Sequence, residues 1–152
     1  MPLVAIVTGS KSDLPTLEPC VQTLTDLGIE HEVHVMSAHR APRKLQQFAS
    51  SAADNGIEVI IGAAGMAAHL PGVIAAWTHL PVIGVPVSQS NDSAVSGLDS
   101  LLSIVQMPPG IPVGSMSVNG AKNAALYAAS ILAIKHDSIR SALLDFRERQ
   151  SA

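Results

Sequence analysis

The residues most able to do chemistry in this chain fall in three short segments. SAHR, residues 37–40, sets a serine, a histidine and an arginine side by side in a mostly apolar sequence. Arg40 offers a planar fork of donors suited to a phosphate or a carboxylate. His39 can take or give a proton near neutral pH. The plainer reading is a solvated turn or a histidine on a backbone carbonyl; the adjacency of His39 and Arg40 at a strand end puts a site on an equal footing with it. GSKSD, residues 9–13, places a glycine and then small polar residues, Ser10, Ser12 and Asp13, at a helix start. Exposed amides there can hold a phosphate or a carboxylate, and Asp13 can accept hydrogen bonds from sugar hydroxyls. The competing reading is an ordinary helix cap. GAAGMAAHLPG, residues 62–72, has little bulk before His69, so backbone can approach a ligand closely. Leu70 and Pro71 stiffen the next turn. His69 either closes the site from a second side or is a structural histidine.

Other chemistries find less support. GSKSD is neither a GxGxxG fingerprint nor a Walker loop, so neither a dinucleotide nor ATP is expected. No GxSxG elbow surrounds Ser10, Ser12 or Ser90, which argues against a serine nucleophile. His31, His34, His79 and His136 are scattered without an HxxxH or HExxH pair, and no structural zinc is expected. Cys20 reads as a core residue of the first helix, and Met66 and Trp77 read as packing residues.

The elements that must position these segments alternate between two periods. Apolar, β-branched runs at 3–7, 31–35, 59–63 and 82–85 read as strands, with a further strand at 113–118. Leu14, Leu17, Val21, Leu24 and Leu27 recur at helical spacing; Asp13 is expected to cap that helix, Pro15 to sit in its first turn and Gly28 to end it. Pro42 opens a second helix that stops near Asn55-Gly56. Further helices are expected through Ile74 to Trp77, over 98–105, over 121–134 and over 136–149. The last has Ile139, Leu143 and Phe146 on one side. Continuous apolar strands suit a parallel sheet covered on both faces. The expected fold is therefore a doubly wound, three-layer α/β/α sandwich in one domain, residues 1–152. In such a sheet ligands collect beyond the carboxyl ends of the strands, where all three segments fall.

Composition narrows the partners. The 152 residues are 47% hydrophobic and only 14% charged, so part of the surface is expected to be buried in an oligomer. The net charge of -3, without a basic block, speaks against nucleic acid or an anionic membrane. A single cysteine, Cys20, rules out an internal disulfide. No apolar run approaches the roughly 18 residues of a membrane span, and MPLVAIVTGS does not read as a signal peptide. A cytoplasmic protein is expected.

GSKSD, SAHR, AAHLPG and GLDSLLSIVQMPPGIPVG, in this order, resemble the phosphoribosylaminoimidazole carboxylase catalytic subunit family, and more narrowly its bacterial mutase branch. The resemblance runs from about residue 4 to residue 134. It implies a flavodoxin-like fold, a homo-octamer whose C-terminal helix packs on other subunits, and a step of de novo purine synthesis. It implies a ribonucleotide substrate and neither metal nor organic cofactor. Mutase members move a carboxylate from N5 of the ribonucleotide to C4 of its imidazole. By this resemblance Ser10, Ser12, Asp13, Ser37, Ala38, Arg40, Gly65 and Leu70 bind substrate, Arg40 taking phosphate and Asp13 the ribose. His39 is the general acid/base, and His69 helps shape the pocket for the carboxylate or CO2. Two departures lean toward the branch that uses CO2 directly: residues 88–97 form a longer loop, and VNGAKNAAL a shorter segment. Arg40 and AAHLPG, nearer the chemistry, lean toward the mutase. Direct carboxylation of aminoimidazole ribonucleotide is the alternative, and a non-catalytic nucleotide-binding or structural oligomeric protein is the alternative of another class.

Overall fold

The computed structural model describes residues 1–89 and 95–152. Five strands form one parallel sheet in the order β2-β1-β3-β4-β5. They are β1 (Val4–Thr8), β2 (His31–Val35), β3 (Val59–Gly65), β4 (Val82–Val87) and β5 (Gly114–Ser115). β1 pairs with both β2 and β3, Thr8 facing Val35 on one side and Ala63 on the other. This is the flavodoxin-like order, and the chain reverses its direction of winding between β1 and β3.

Side-chain alternation along the strands builds two cores. Val4, Ile6, Val59, Ile61, Ile83 and Val85 point to the layer of α1 (Leu14–Asp26), α5 (Ala121–Leu132) and α6 (Asp137–Ser151). Ala5, Val7, Ile60 and Val82 point to the layer of α2 (Pro42–Ser51), α3 (Leu70–Trp77) and α4 (Val95–Val105). α5 presents an alanine face, Ala121, Ala124, Ala125, Ala128 and Ala129, all buried, and small side chains let α1 and the sheet come close. Burial pushes the Cys20 thiol up to about 12, as expected of a core residue of α1 and not of a nucleophile.

Several sequence expectations change. Asp13 does not cap α1 with its side chain; its carboxylate is engaged elsewhere, and Ser10 instead caps a 3₁₀ turn at Lys11–Asp13 by accepting from the Ser12 amide. The fifth strand shrinks to Gly114–Ser115, because the run at 113–118 pairs with β4 only briefly and then turns at Asn119, whose φ is 58°. Met66 and Trp77 are exposed rather than packed, at 77% and 47%. Trp77 is the last residue of α3, beyond its buried face, and Met66 sits on the loop after β3. The longer loop expected at 88–97 has residues 90–94, Ser90 among them, outside the described residues.

The final helix packs Ile139 and Leu143 into the core that holds α5 of the same chain. Glu58, just before β3, pins the junction that leads into it. One carboxylate oxygen accepts from Lys135 Nζ at 2.6 Å, and the other meets His136 Nε2 at 2.8 Å. Partial burial raises the Glu58 pKa, but the hydrogen bonds and charges of Lys135 and His136 together outweigh it and leave the group below its usual 4.5. A carboxyl whose pKa is lower folded than unfolded stabilises the fold above its unfolded value, and that stability is lost as pH falls through the folded value. Glu58→Gln is therefore expected to cost about 1 kcal/mol or less at neutral pH and progressively nothing below about pH 4.5. Urea unfolding of both proteins at several pH values checks this; an equal gap at pH 3 and pH 7 would contradict it.

Candidate functional site

A cavity of about 630 Å³ lies at the carboxyl edge of the sheet, where the chain after β1, β2, β3 and β4 converges. It is the edge that the switch in strand order opens between β1 and β3. Ser10, Ser12, Asp13, Ser37, Ala38, His39, Arg40, Gly65 and Leu70 all line it. His69 does not; it stands behind His39, its Nδ1 3.0 Å from His39 Nε2, with the two rings edge to face at 86°. One of these nitrogens must carry the hydrogen, so each imidazole fixes the tautomer of the other.

The loop after β1 is built around Asp13, which is 7% exposed. Thr8 Oγ1, at the end of β1, donates to Asp13 Oδ2 at 3.2 Å. Gln89 Nε2, past the end of β4, donates to Asp13 Oδ1 at 2.8 Å and lies 3.2 Å from both Ser12 O and Ser12 Oγ. The carboxylate is thus held from both sides and fixed in direction. The hydroxyls of Ser10 and Ser12 are joined at 2.8 Å.

The turn after β2 aims Arg40. Met36 N donates to Thr8 O at 2.8 Å, which ties the turn to the end of β1. Ser37 Oγ then accepts from the Arg40 amide at 3.2 Å and from Arg40 Nε at 3.4 Å. Arg40 Nη2 reaches across to Gly9 O at 3.3 Å. Among the described residues no carboxylate pairs with Arg40. Its charge faces the cavity beside the serine hydroxyls, an arrangement fit for a phosphate.

The loop after β3 supplies the third wall. A Cβ at Gly65 would lie 3.1 Å from Val87 O, so the glycine lets the ends of β3 and β4 approach. Ala68 and Leu70 are buried, and α3 starts at Leu70 with no side-chain cap from His69, whose ring is left for His39. Among the described residues no group of three His, Cys, Asp or Glu is arranged to hold a metal ion. The cavity therefore combines a clamped carboxylate, Asp13, an arginine that no described carboxylate neutralises, Arg40, and His39 backed by His69.

Residues 3–152 match the family model described as AIR carboxylase. The chain belongs to the AIR carboxylase family. A protein of Pseudomonas aeruginosa named N5-carboxyaminoimidazole ribonucleotide mutase is 54% identical over 151 residues, covering 98% of this chain and 91% of that one. Proteins with the same name from Pyrococcus abyssi and Escherichia coli are 54% and 53% identical, each over 97% of this chain and over 83% and 87% of theirs. The crystal structure of Treponema denticola PurE superposes with a TM-score of 0.87 at 27% identity, over 99% of this chain and 92% of that one. The AIR carboxylase resemblance read from GSKSD, SAHR and AAHLPG is thereby shown, and so is the flavodoxin-like sandwich.

Sequence reasoning missed Gln89, Thr8 and Met66 as parts of the site. The signal for Gln89 was present: it lies two residues past the end of β4, the same position that singled out the other three loops. The geometry of Arg40 predicts where an anion binds. Titration of the protein with inorganic phosphate should shift amide NMR signals at 9–13 and 37–40. Arg40→Lys should weaken that binding by roughly tenfold, because lysine keeps the charge and loses the fork. Shifts confined to other regions would contradict the assignment.

Proposed function

We infer that this chain is an N5-carboxyaminoimidazole ribonucleotide mutase of de novo purine synthesis. It moves the carboxylate from N5 of its ribonucleotide to C4 of the imidazole. The observation that carries the reading is His39 on the wall of one cavity with Arg40, whose charge no described carboxylate neutralises, and the clamped Asp13, in a chain 54% identical to a protein of that name. A structural or merely binding protein has no need of His39 and His69 in contact beside an open anion pocket.

The geometry supports a division of labour. The phosphate lies on Arg40 with the hydroxyls of Ser10, Ser12 and Ser37, and a ribose hydroxyl donates to Asp13. That leaves the imidazole between His39 and the wall of Ala38, Gly65 and Leu70. The C–N bond of the carbamate then breaks as N5 takes a proton from His39, giving bound aminoimidazole ribonucleotide and CO2. C4 attacks the CO2 carbon, and the C4 proton passes to His39, with His69 holding its ring. One proton is given and one taken, so the step balances within the substrate and the histidine pair. Confinement of CO2 beside C4 makes the second step effectively intramolecular.

One assay tests the reading. At short times the protein should convert the N5-carboxylated ribonucleotide far more efficiently than aminoimidazole ribonucleotide with bicarbonate. The product should take up little label from bicarbonate in the medium. His39→Asn should lower kcat by ~10²-fold or more with KM nearly unchanged. Efficient use of aminoimidazole ribonucleotide at modest CO2, with no enzymatic use of the N5 compound, would assign direct carboxylation instead.

The protein is further proposed to act as a cytoplasmic homo-octamer, with α6 contributing to contacts between subunits. Leu98, Leu102 and Val105 lie at helical spacing on α4, each about half exposed, and Tyr127 and Leu144 are exposed on the opposite layer. A surface with few charges and such apolar rows favours burial between copies. No described helix is long and apolar enough to cross a membrane. Light scattering at micromolar concentration should give eight times the 15.7 kDa chain mass; a stable monomer would overturn the assembly.

A further inference from the structure

The mutase reading demands that a small, neutral molecule stay in place. Once the carbamate C–N bond has broken, CO2 carries no charge for Arg40 to hold. Only enclosure keeps it from water until C4 attacks. The cavity has fixed apolar walls in Ala64 and Leu70, both buried. The segment between them carries one large apolar side chain, Met66, which lines the same cavity and is 77% exposed.

Met66 is also conformationally unusual. Its φ is 55°, in the left-handed region that a residue with a Cβ seldom adopts and that glycine enters freely. Two successive tight bonds fix the backbone there. Ala68 N donates to Met66 O at 2.9 Å, and His69 N donates to Ala67 O at 2.8 Å. Ala68 is buried beneath the loop, while Met66 stands out at the mouth. A glycine here would satisfy the backbone and leave no apolar side chain in water. A methionine is unfavourable on both counts in the free protein, and such costs persist where a site uses them. Its three rotatable bonds and polarizable sulfur let it fold over a ligand without movement of the backbone.

We propose that Met66 is the lid of the pocket: its side chain folds over the seated ribonucleotide and keeps the freed CO2 against C4. The proposal rests on the mutase reading. Met66 neither gives nor takes a proton; it changes how the bound intermediate divides between bond formation and escape. Loss of CO2 leaves aminoimidazole ribonucleotide as a second product, so the division is directly measurable.

The test supplies the N5-carboxylated ribonucleotide to the full-length protein and measures both products at short times, after subtraction of enzyme-free decay. The wild type should give mainly the C4-carboxylated product. Met66→Gly relieves the backbone and should melt no lower than the wild type. It should raise the share released as aminoimidazole ribonucleotide by roughly tenfold, with more label from bicarbonate in the carboxylated product. Met66→Ala should behave alike with its own Cβ retained, and Met66→Leu should restore most of the retention. Unchanged partition in folded Met66→Gly and Met66→Ala would overturn the lid and leave the mutase standing, as would slower turnover without added release. A wild type that does not consume the N5 compound would bring down both.

Discussion

The parallel pairing of β1 with β2 on one side and β3 on the other is the constraint on which the site depends. It brings Thr8, Val35 and Ala63 into register; β1 and β2 end at that level, and β3 runs two residues further, to Gly65. Pairing of β3 with β4 sets Gly65 opposite Val87, so these two strands end together. No residue of the pocket is near in sequence to all the others. Asp13 and Gln89, 76 positions apart, meet because β1, β3 and β4 are neighbours in the sheet. A register slip by one residue would turn the alternating core faces inside out, so the packing of Val4, Ile6, Ile60 and Ile61 also holds the geometry of the pocket.

The polar groups within that frame divide into fixed and free. Asp13 is buried and held from two sides, and its direction is set before any ligand arrives. Arg40 is exposed and braced only by Ser37 and a carbonyl, so its charge is open to an anion. The histidines fall between: each orients the other, and only His39 is on the cavity wall. Preorganised acceptors at one end and an unpaired cation at the other suit a ligand with a sugar and a phosphate.

Much of this could be read from the residues. Strand β2 matches the sequence reading at 31–35, and the three loops rich in Gly, Ser, His and Arg do line one cavity. Local chemistry was sufficient there, because Pro42, Gly28 and the apolar runs act within a few residues. What stayed hidden depends on distant partners. Asp13 looks like a helix cap from its neighbours alone, and only Thr8 and Gln89 show that its carboxylate is taken. The run at 113–118 has the composition of a strand, yet pairing with β4 covers only two of its residues. Trp77 has the type of a packing residue but comes at the end of α3, past the last turn that faces the core.

Gly65 joins the two ends of the site in one steric requirement. Its missing Cβ permits Val87 O to approach, and that approach sets where β4 stops against β3. Two residues beyond Val87, the Gln89 amide reaches Asp13 at 2.8 Å. A side chain at Gly65 would push the end of β4 outward, and the displacement would pass along a short stretch of backbone to Gln89. The Gly65 wall of the cavity and the Asp13 carboxylate are therefore placed by the same close contact. A rigid sheet edge can hold both to the fraction of an ångström that positioning of a reacting ligand requires.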